Sequence, residues 1–212
     1  MYEFVDTAVR DRIGTLLLTR PPRNALSRQM CREISAAAAE LSSDPQVSAV
    51  IVYGGHEVFC AGDDEAAMAL LNDAESARAA AVTRAATAAV AAIAKPTAAA
   101  VTGYALGSGL ALALAADHRI AGDNIKVGST EILSGRAPAD ARALAAVIGD
   151  SRAKDLVFSG RFAGAEEALA LHLVDELVAP DDVYDSALAW AAQFADTPVQ
   201  VLAAAKAAFS RV

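Results

Sequence analysis

"AAAVTGYALGSGLALALAAD", residues 98–117, passes from a short apolar segment through a glycine–serine–glycine step into an almost wholly apolar run that stops at Asp117. So apolar a run has to be buried, and the glycines ahead of it allow a tight turn. The stretch therefore reads as strand, turn and buried helix. The first turn of a helix carries unpaired N–H groups and about half a positive elementary charge. Such a turn can deliver a main-chain N–H to a reacting oxygen, while the buried helix holds that N–H still. Gly107 and Gly109 could equally serve only to let helix and strand pack closely, and these residues alone leave both uses open.

Upstream, "VIVYGGHEVFCAGDD" (50–64) repeats the design: an apolar strand, then a glycine-containing turn. Two such turns meeting at one point supply two N–H donors to one oxygen. That is an oxyanion hole, in which loss of one donor typically costs ~10²–10³ in rate. Further out, "IGTLLLT" (13–19) and "VSAVIVYGG" (47–55) read as buried strands. Between them, Ser27 is a helix N-cap, followed by Met30, Ile34, Ala37, Ala38 and Leu41 at helical spacing. Strand, helix, strand is a crossover unit and implies a parallel sheet with helices on its faces. A long alanine helix is expected over 73–93, ending before "KPT", and "HRIAG" (118–122) is a further strand. Helix, turn, helix and a short strand follow over 150–178, and two terminal helices after 180. No fixed-period repeat or linker is visible. The expected organisation is a core over 1–178 with a helical C-terminal segment over 179–212.

The 212 residues carry a net charge of −8 without a lysine or arginine block, which excludes nucleic acid and anionic membrane as expected partners. Hydrophobic residues make up 55% but aromatics only 5%, so the core is built of closely packed, alanine-rich helices, which also favours self-association. Cys31 and Cys60 lack CxxC spacing, so no disulfide scaffold or metal site is expected. "MYEFVDTAVRDRIG" lacks the apolar core of a signal peptide. The alanine-rich region 79–101 is broken by Thr83, Arg84, Lys95 and Pro96, and so is not read as a membrane span. A cytoplasmic location is expected.

The third informative stretch is "KVGSTEILSG" (126–135), where Glu131 enters an apolar neighbourhood. Burying a carboxylate unpaired is costly, and burial raises its pKa toward the range of a general base working near neutral pH. "STE" also fits a helix N-cap, and spacing alone does not decide between the two.

Taken together, these segments resemble the crotonase, or enoyl-CoA hydratase/isomerase, family. Its patterns are an early RP…NAL, an F-x-A-G-x-D turn, an N-G-x-A-x-G-G-G turn and a later P-E-I-x-x-G. This chain has "RPPRNAL" (20–26), "FCAGDD" (59–64), "TGYALGSG" (102–109) and "TEILSG" (130–135), in that order. The resemblance covers nearly everything from Ile13 onward. It implies an α/β, crotonase-like fold, a core of repeated strand–strand–helix turns with a helical C-terminal tail. It also implies an acyl-CoA substrate of fatty acid metabolism, with coenzyme A part of the thioester and no permanently bound cofactor, and a homotrimer or dimer of trimers. The thioester carbonyl would accept from the N–H groups of Asp63 and Ser108, and Glu131 would be the catalytic carboxylate. Ala61, Asp63, Asp64 and Glu65 would wrap the adenine end of CoA, with Arg23 as a phosphate partner. Ala25, Tyr104 and Gly107 complete the implied binding set.

The departures from the family pattern matter as much. Family hydratases hold and split water between two glutamates, and the position of the earlier one is Ala111 here. One carboxylate can still move a proton from C2 to C4, which favours isomerisation of a 3-enoyl to a 2-enoyl thioester. Hydration, or a non-catalytic acyl-CoA carrier, are the competing expectations. Asp63 brings a charge that could repel an oxyanion if turned inward, and Asp140 is a second acid/base candidate against a helix-capping role. Ser108 in "GSG" invites a serine-hydrolase reading, but Leu106 stands where G-x-S-x-G needs glycine. His118 lies at the far end of the helix, ~15 Å away. His56 and His172 read as surface or partly buried helix and loop residues, and Trp190 as a helix anchor to the core or to a second subunit.

Overall fold

The computed structural model describes residues 2–138 and 141–209; Asp140 falls outside them. A hairpin opens the chain. Strand β1 (Val5–Arg10) pairs antiparallel with β2 (Ile13–Leu18) around Asp11 and Arg12, both at positive φ. Helix α1 (Arg28–Ser43) then crosses to β3 (Ala49–Tyr53), parallel to β2. Helices α2 (Glu65–Met68) and α3 (Asp73–Ala91) lead to β4 (Thr97–Val101). The segments β5 (Tyr104–Leu106), α4 (Ser108–Leu114), β6 (His118–Gly122) and β7 (Lys126–Gly128) follow. After a 3₁₀ turn at Glu131–Ser134 come α5 (Ala141–Ile148), α6 (Asp150–Ser159), β8 (Ala163–Gly164) and α7 (Ala165–Ala170). The chain closes with β9 (Glu176–Val178), α8 (Val183–Ala192) and α9 (Val199–Ala207).

The main sheet has the order β1-β2-β3-β4-β6-β9, parallel throughout except for β1, and a second, small sheet has the order β5-β7-β8. Alternation along the strands divides the interior in two. Leu16, Leu18, Val50, Val52, Ala99 and Val101 face α1, α3 and α4. Ile13, Ala49, Ile51, Tyr53, Ala98, Ala100 and Ile120 face the buried Val183, Ala187 and Ala191 of α8. Helix α8 therefore forms one whole layer, whereas α9 buries no residue. Trp190 stacks flat on His118, ring centroids 5.0 Å apart.

Helix α1 begins at Ser27, whose side chain accepts from Met30 N–H, and it buries the expected Met30, Ile34, Ala37, Ala38 and Leu41, with Cys31 added. Its C-terminal carbonyls, which no helical N–H can reach, are served by buried Lys95, whose Nζ donates to Leu41 and Asp44 oxygens. The hairpin strand β1 and the small sheet lie outside the sequence reading. Strand β1 buries only Val5, so it lacks the apolar run that marks β2. Strands β5, β7 and β8 have two or three residues each, too few for a periodic signal.

Candidate active site

The turn after β4 is built by close contact. Gly103, at φ +55°, leaves no room for a Cβ, which would sit 2.0 Å from the Glu57 carbonyl oxygen. The chain then runs beside residues 59–60: Phe59 N–H donates to Thr102, Cys60 N–H to Tyr104, and Leu106 N–H to Cys60. This pairing sets the two glycine turns side by side. A Cβ on Gly62 would lie 2.7 Å from the Leu106 oxygen and 3.7 Å from the Ser108 nitrogen. Ser108 starts α4, with Gly107 at φ +52° before it, so its N–H belongs to the first helical turn and has no intrahelical acceptor. Gly109 serves the packing role: a Cβ there would meet the Cys60 oxygen at 2.3 Å. Gly109 thus serves close packing, while Gly107 sets the Ser108 N–H in the first turn of α4.

The early "RPPRNAL" is a splint for the first turn. Asn24, at φ +48°, donates to the Gly54, Val58 and Phe59 oxygens. Ala61 N–H bonds to Arg23, Leu26 N–H to Gly62, and Asp64 N–H to Leu26. This pairing takes no bond from the N–H of Asp63. The Asp63 carboxylate is engaged elsewhere, with Arg136 at 3.1 Å and Thr83 Oγ1 donating at 3.4 Å. Its negative charge is thus neutralised by a partner that nothing in the spacing of "GRAP" had flagged.

Glu131 opens the 3₁₀ turn after β7 and is 5% exposed. Thr130 makes no side-chain cap bond there, so the capping alternative for "STE" does not describe this segment. The Glu131 Oε2 accepts from Ser129 Oγ at 2.8 Å, and its carboxyl packs on the Gly107 turn, 3.1 Å from where a Cβ would stand. A pocket of about 10 Å³, room for a single water-sized group, is lined by Gly107, Ala111, Ser129 and Glu131 with Leu110, Leu114 and Leu144. Ala111 therefore borders the same space as Glu131.

Of the implied binding residues, Arg23, Ala25, Ala61, Asp63, Glu65 and Tyr104 line one cleft of about 330 Å³, together with Val58, Leu106 and Thr130. Arg23 has no ion-pair partner among the described residues. Asp64 and Gly107 do not line this cleft. The Asp64 carboxylate accepts from Ala67 N–H as the α2 N-cap and pairs with Arg20 at 2.6 Å. Those bonds, the Ala67 one foremost, hold its pKa below the usual carboxylate value. Gly107 belongs to the Glu131 pocket. His56 and His172 are exposed. Cys60 is buried, donates to the Asn24 oxygen, and is pushed by burial up to about 12, so it is no nucleophile at neutral pH.

A family model described as enoyl-CoA hydratase/isomerase matches residues 9–212. A probable enoyl-CoA hydratase, echA17, of Mycobacterium avium is 59% identical over 99% of this chain and 84% of its own length. The EchA17 protein of Mycobacterium tuberculosis, described in the same words, is 57% identical over 99% and 83%. The crystal structure of an enoyl-CoA hydratase from Bacillus anthracis superposes with a TM-score of 0.93 at 28% identity, over 99% of this chain and 83% of that one. Two glycine turns braced side by side and a buried glutamate behind them thus sit in a crotonase fold, and the chain belongs to the enoyl-CoA hydratase/isomerase family as one of its enzymes.

Proposed function

We propose that this enzyme holds the thioester carbonyl of an enoyl-CoA between the N–H groups of Asp63 and Ser108 and moves a double bond from C3 to C2, with Glu131 carrying the proton. The observation that carries this reading is Glu131, the one carboxylate lining its pocket among the described residues, with Ala111 as its helical neighbour there. Glu131 takes the C2 proton, the C–H electron pair becomes the C1–C2 bond of a dienolate, and the carbonyl pair moves onto oxygen. Two fixed N–H groups stabilise that charge as it develops. Transfer of the same proton to C4 shifts the double bond to C2–C3 and restores the carbonyl, so nothing is consumed. Coenzyme A arrives and leaves with the substrate. Arg23 faces its phosphates, and the 61–65 main chain faces its adenine end. A cytoplasmic homotrimer, or dimer of trimers, active in fatty acid metabolism goes with this reading. Exposed Leu133 and Phe158 give a second copy apolar surface to cover.

Hydration is the second reading, favoured by relatives named probable enoyl-CoA hydratases. Assay of the purified chain with 3-hexenoyl-CoA and with crotonyl-CoA, beside Glu131→Gln, separates them. Isomerisation should outpace hydration, and Glu131→Gln should lose ~10²–10⁴ of it, the usual worth of a positioned base. Faster hydration than isomerisation reverses the order of the two readings. Tight thioester binding with no turnover, and no effect of the substitution, defeats both.

A further inference from the structure

A proton carrier has to be aimed, and the backbone under Glu131 does not settle where its carboxylate points. Glu131 opens a four-residue 3₁₀ turn that has no side-chain cap bond, a short element of poorer hydrogen-bond geometry than an α-helix. The last torsion of a glutamate is broad, so the rotation of the carboxylate has to be fixed by a bond or by close packing. The small pocket beside it has apolar walls at Leu110, Ala111, Leu114 and Leu144. Ser129 is the one hydrogen-bonding side chain besides Glu131 among its described lining residues. It is buried, and its hydroxyl donates to Oε2 at 2.8 Å.

Ser129 is itself held firmly. It follows Gly128, the last residue of β7, whose oxygen accepts from Gly107 N–H at 2.8 Å. A Cβ on Gly128 would lie 2.6 Å from the Arg161 oxygen, so main chain crowds that residue from the other side. The hydroxyl therefore stands at the end of a strand tied to the same glycine turn that presents the Ser108 N–H. Oε1 of Glu131 is the oxygen nearer that turn. It lies 3.1 Å from where a Cβ on Gly107 would stand, against 3.4 Å for Oε2.

Given the role of Glu131 proposed above, on which this step rests, we propose that Ser129 is a positioning residue for the reaction. Its hydroxyl holds Oε2 and so fixes the rotation of the carboxylate. Oε1 is then turned to the acyl chain both when the C2 proton is taken and when it is returned to C4. A hydroxyl donating to a carboxylate suits the task, since such bonds are shorter and stronger than neutral ones. Without it Glu131 keeps its place in the chain but loses its aim, and misplacing a reacting group by about 1 Å can cost ~10²-fold in rate.

The test is isomerisation of 3-hexenoyl-CoA in D₂O by the full chain, Ser129→Ala, Ser129→Cys and Glu131→Gln, with mass analysis of the first product formed. Ser129→Ala should lower kcat by ~10- to 10²-fold and leave KM within about twofold. Its product should also carry more solvent deuterium than the wild-type product, because a carboxyl group that turns before delivering its proton has time to exchange it. Ser129→Cys fills the same space with only a weak donor and should stay low as well. A kcat loss in Ser129→Ala of less than about threefold overturns the inference, and so does a deuterium content that does not rise. Full recovery in Ser129→Cys also overturns it, since the loss would then belong to packing. None of these outcomes touches the role of Glu131. An undiminished rate in Glu131→Gln, or no isomerisation by wild type, defeats that role and this step with it.

Discussion

Ser108 is a residue whose proposed role lies in its main chain, while its side chain invites a different reading. Its hydroxyl is buried with no partner among the described residues, and no histidine stands beside it, since His118 begins β6 beyond the end of α4. A nucleophilic serine needs a base within hydrogen-bond reach. Ser108→Ala should therefore keep turnover within about tenfold, the worth of one neutral hydrogen bond. A loss of ~10⁴ or more in steady-state assay would point instead to covalent catalysis. Asp63 poses the opposite case. Its charge read as a hazard in the sequence, and the structure ties it to Arg136 and Thr83. Cys60, beside the same turn, is closed off by burial.

At the scale of elements, the site depends on how near α4 can come to the strand segment at Cys60. Gly109→Ala would place a methyl 2.3 Å from a backbone oxygen, which cannot swing aside as a side chain could. Overpacking of this kind costs ~1–3 kcal/mol, so the urea midpoint should fall and activity should drop with it as the Ser108 N–H is displaced. An unchanged midpoint would mean that the helix approaches less closely than described. Helix α2 responds to acid. The pKa of Asp64 is depressed by the Ala67 N–H and by Arg20, so its contribution to stability is complete above the unfolded value of about 3.9 and is lost as pH falls through the lower folded value. Between pH 7 and pH 3, wild type should lose more stability than Asp64→Asn by denaturant titration. Equal losses would remove Asp64 as the source of acid sensitivity. These two elements were unequally legible. The glycine turn and its buried helix stood out because one pattern runs unbroken from the apolar strand to Asp117. Helix α2 has four residues, none of them buried, and a segment that buries nothing leaves no periodic trace.

The whole molecule was readable where burial imposed order. The crossover of β2, α1 and β3, the strands β4 and β6, and the long α3 all follow from apolar runs and caps. Among the catalytic candidates, Asp63 and Ser108 lie in glycine turns after two of those strands and Glu131 in a stretch where a carboxylate meets apolar residues, and the family resemblance supplies the roles proposed for all three. Arg136, Thr83 and Ser129 were not legible, because each acts on a residue distant in sequence or through a side chain whose direction only the fold decides. The layer formed by α8 escaped in the same way. Its alanines at 187 and 191 look ordinary in a chain so rich in alanine, yet they floor half of the interior. Arg136 carries one more consequence. It leaves the same short segment as Glu131, with its N–H bonded to the Glu131 oxygen, and its guanidinium grips Asp63. The proposed proton carrier and the proposed oxygen clamp are thereby the two jaws of one caliper. A polar latch between part-buried side chains spans the two jaws, so exchanging Arg136 should shift their gap before it disturbs any layer of the molecule.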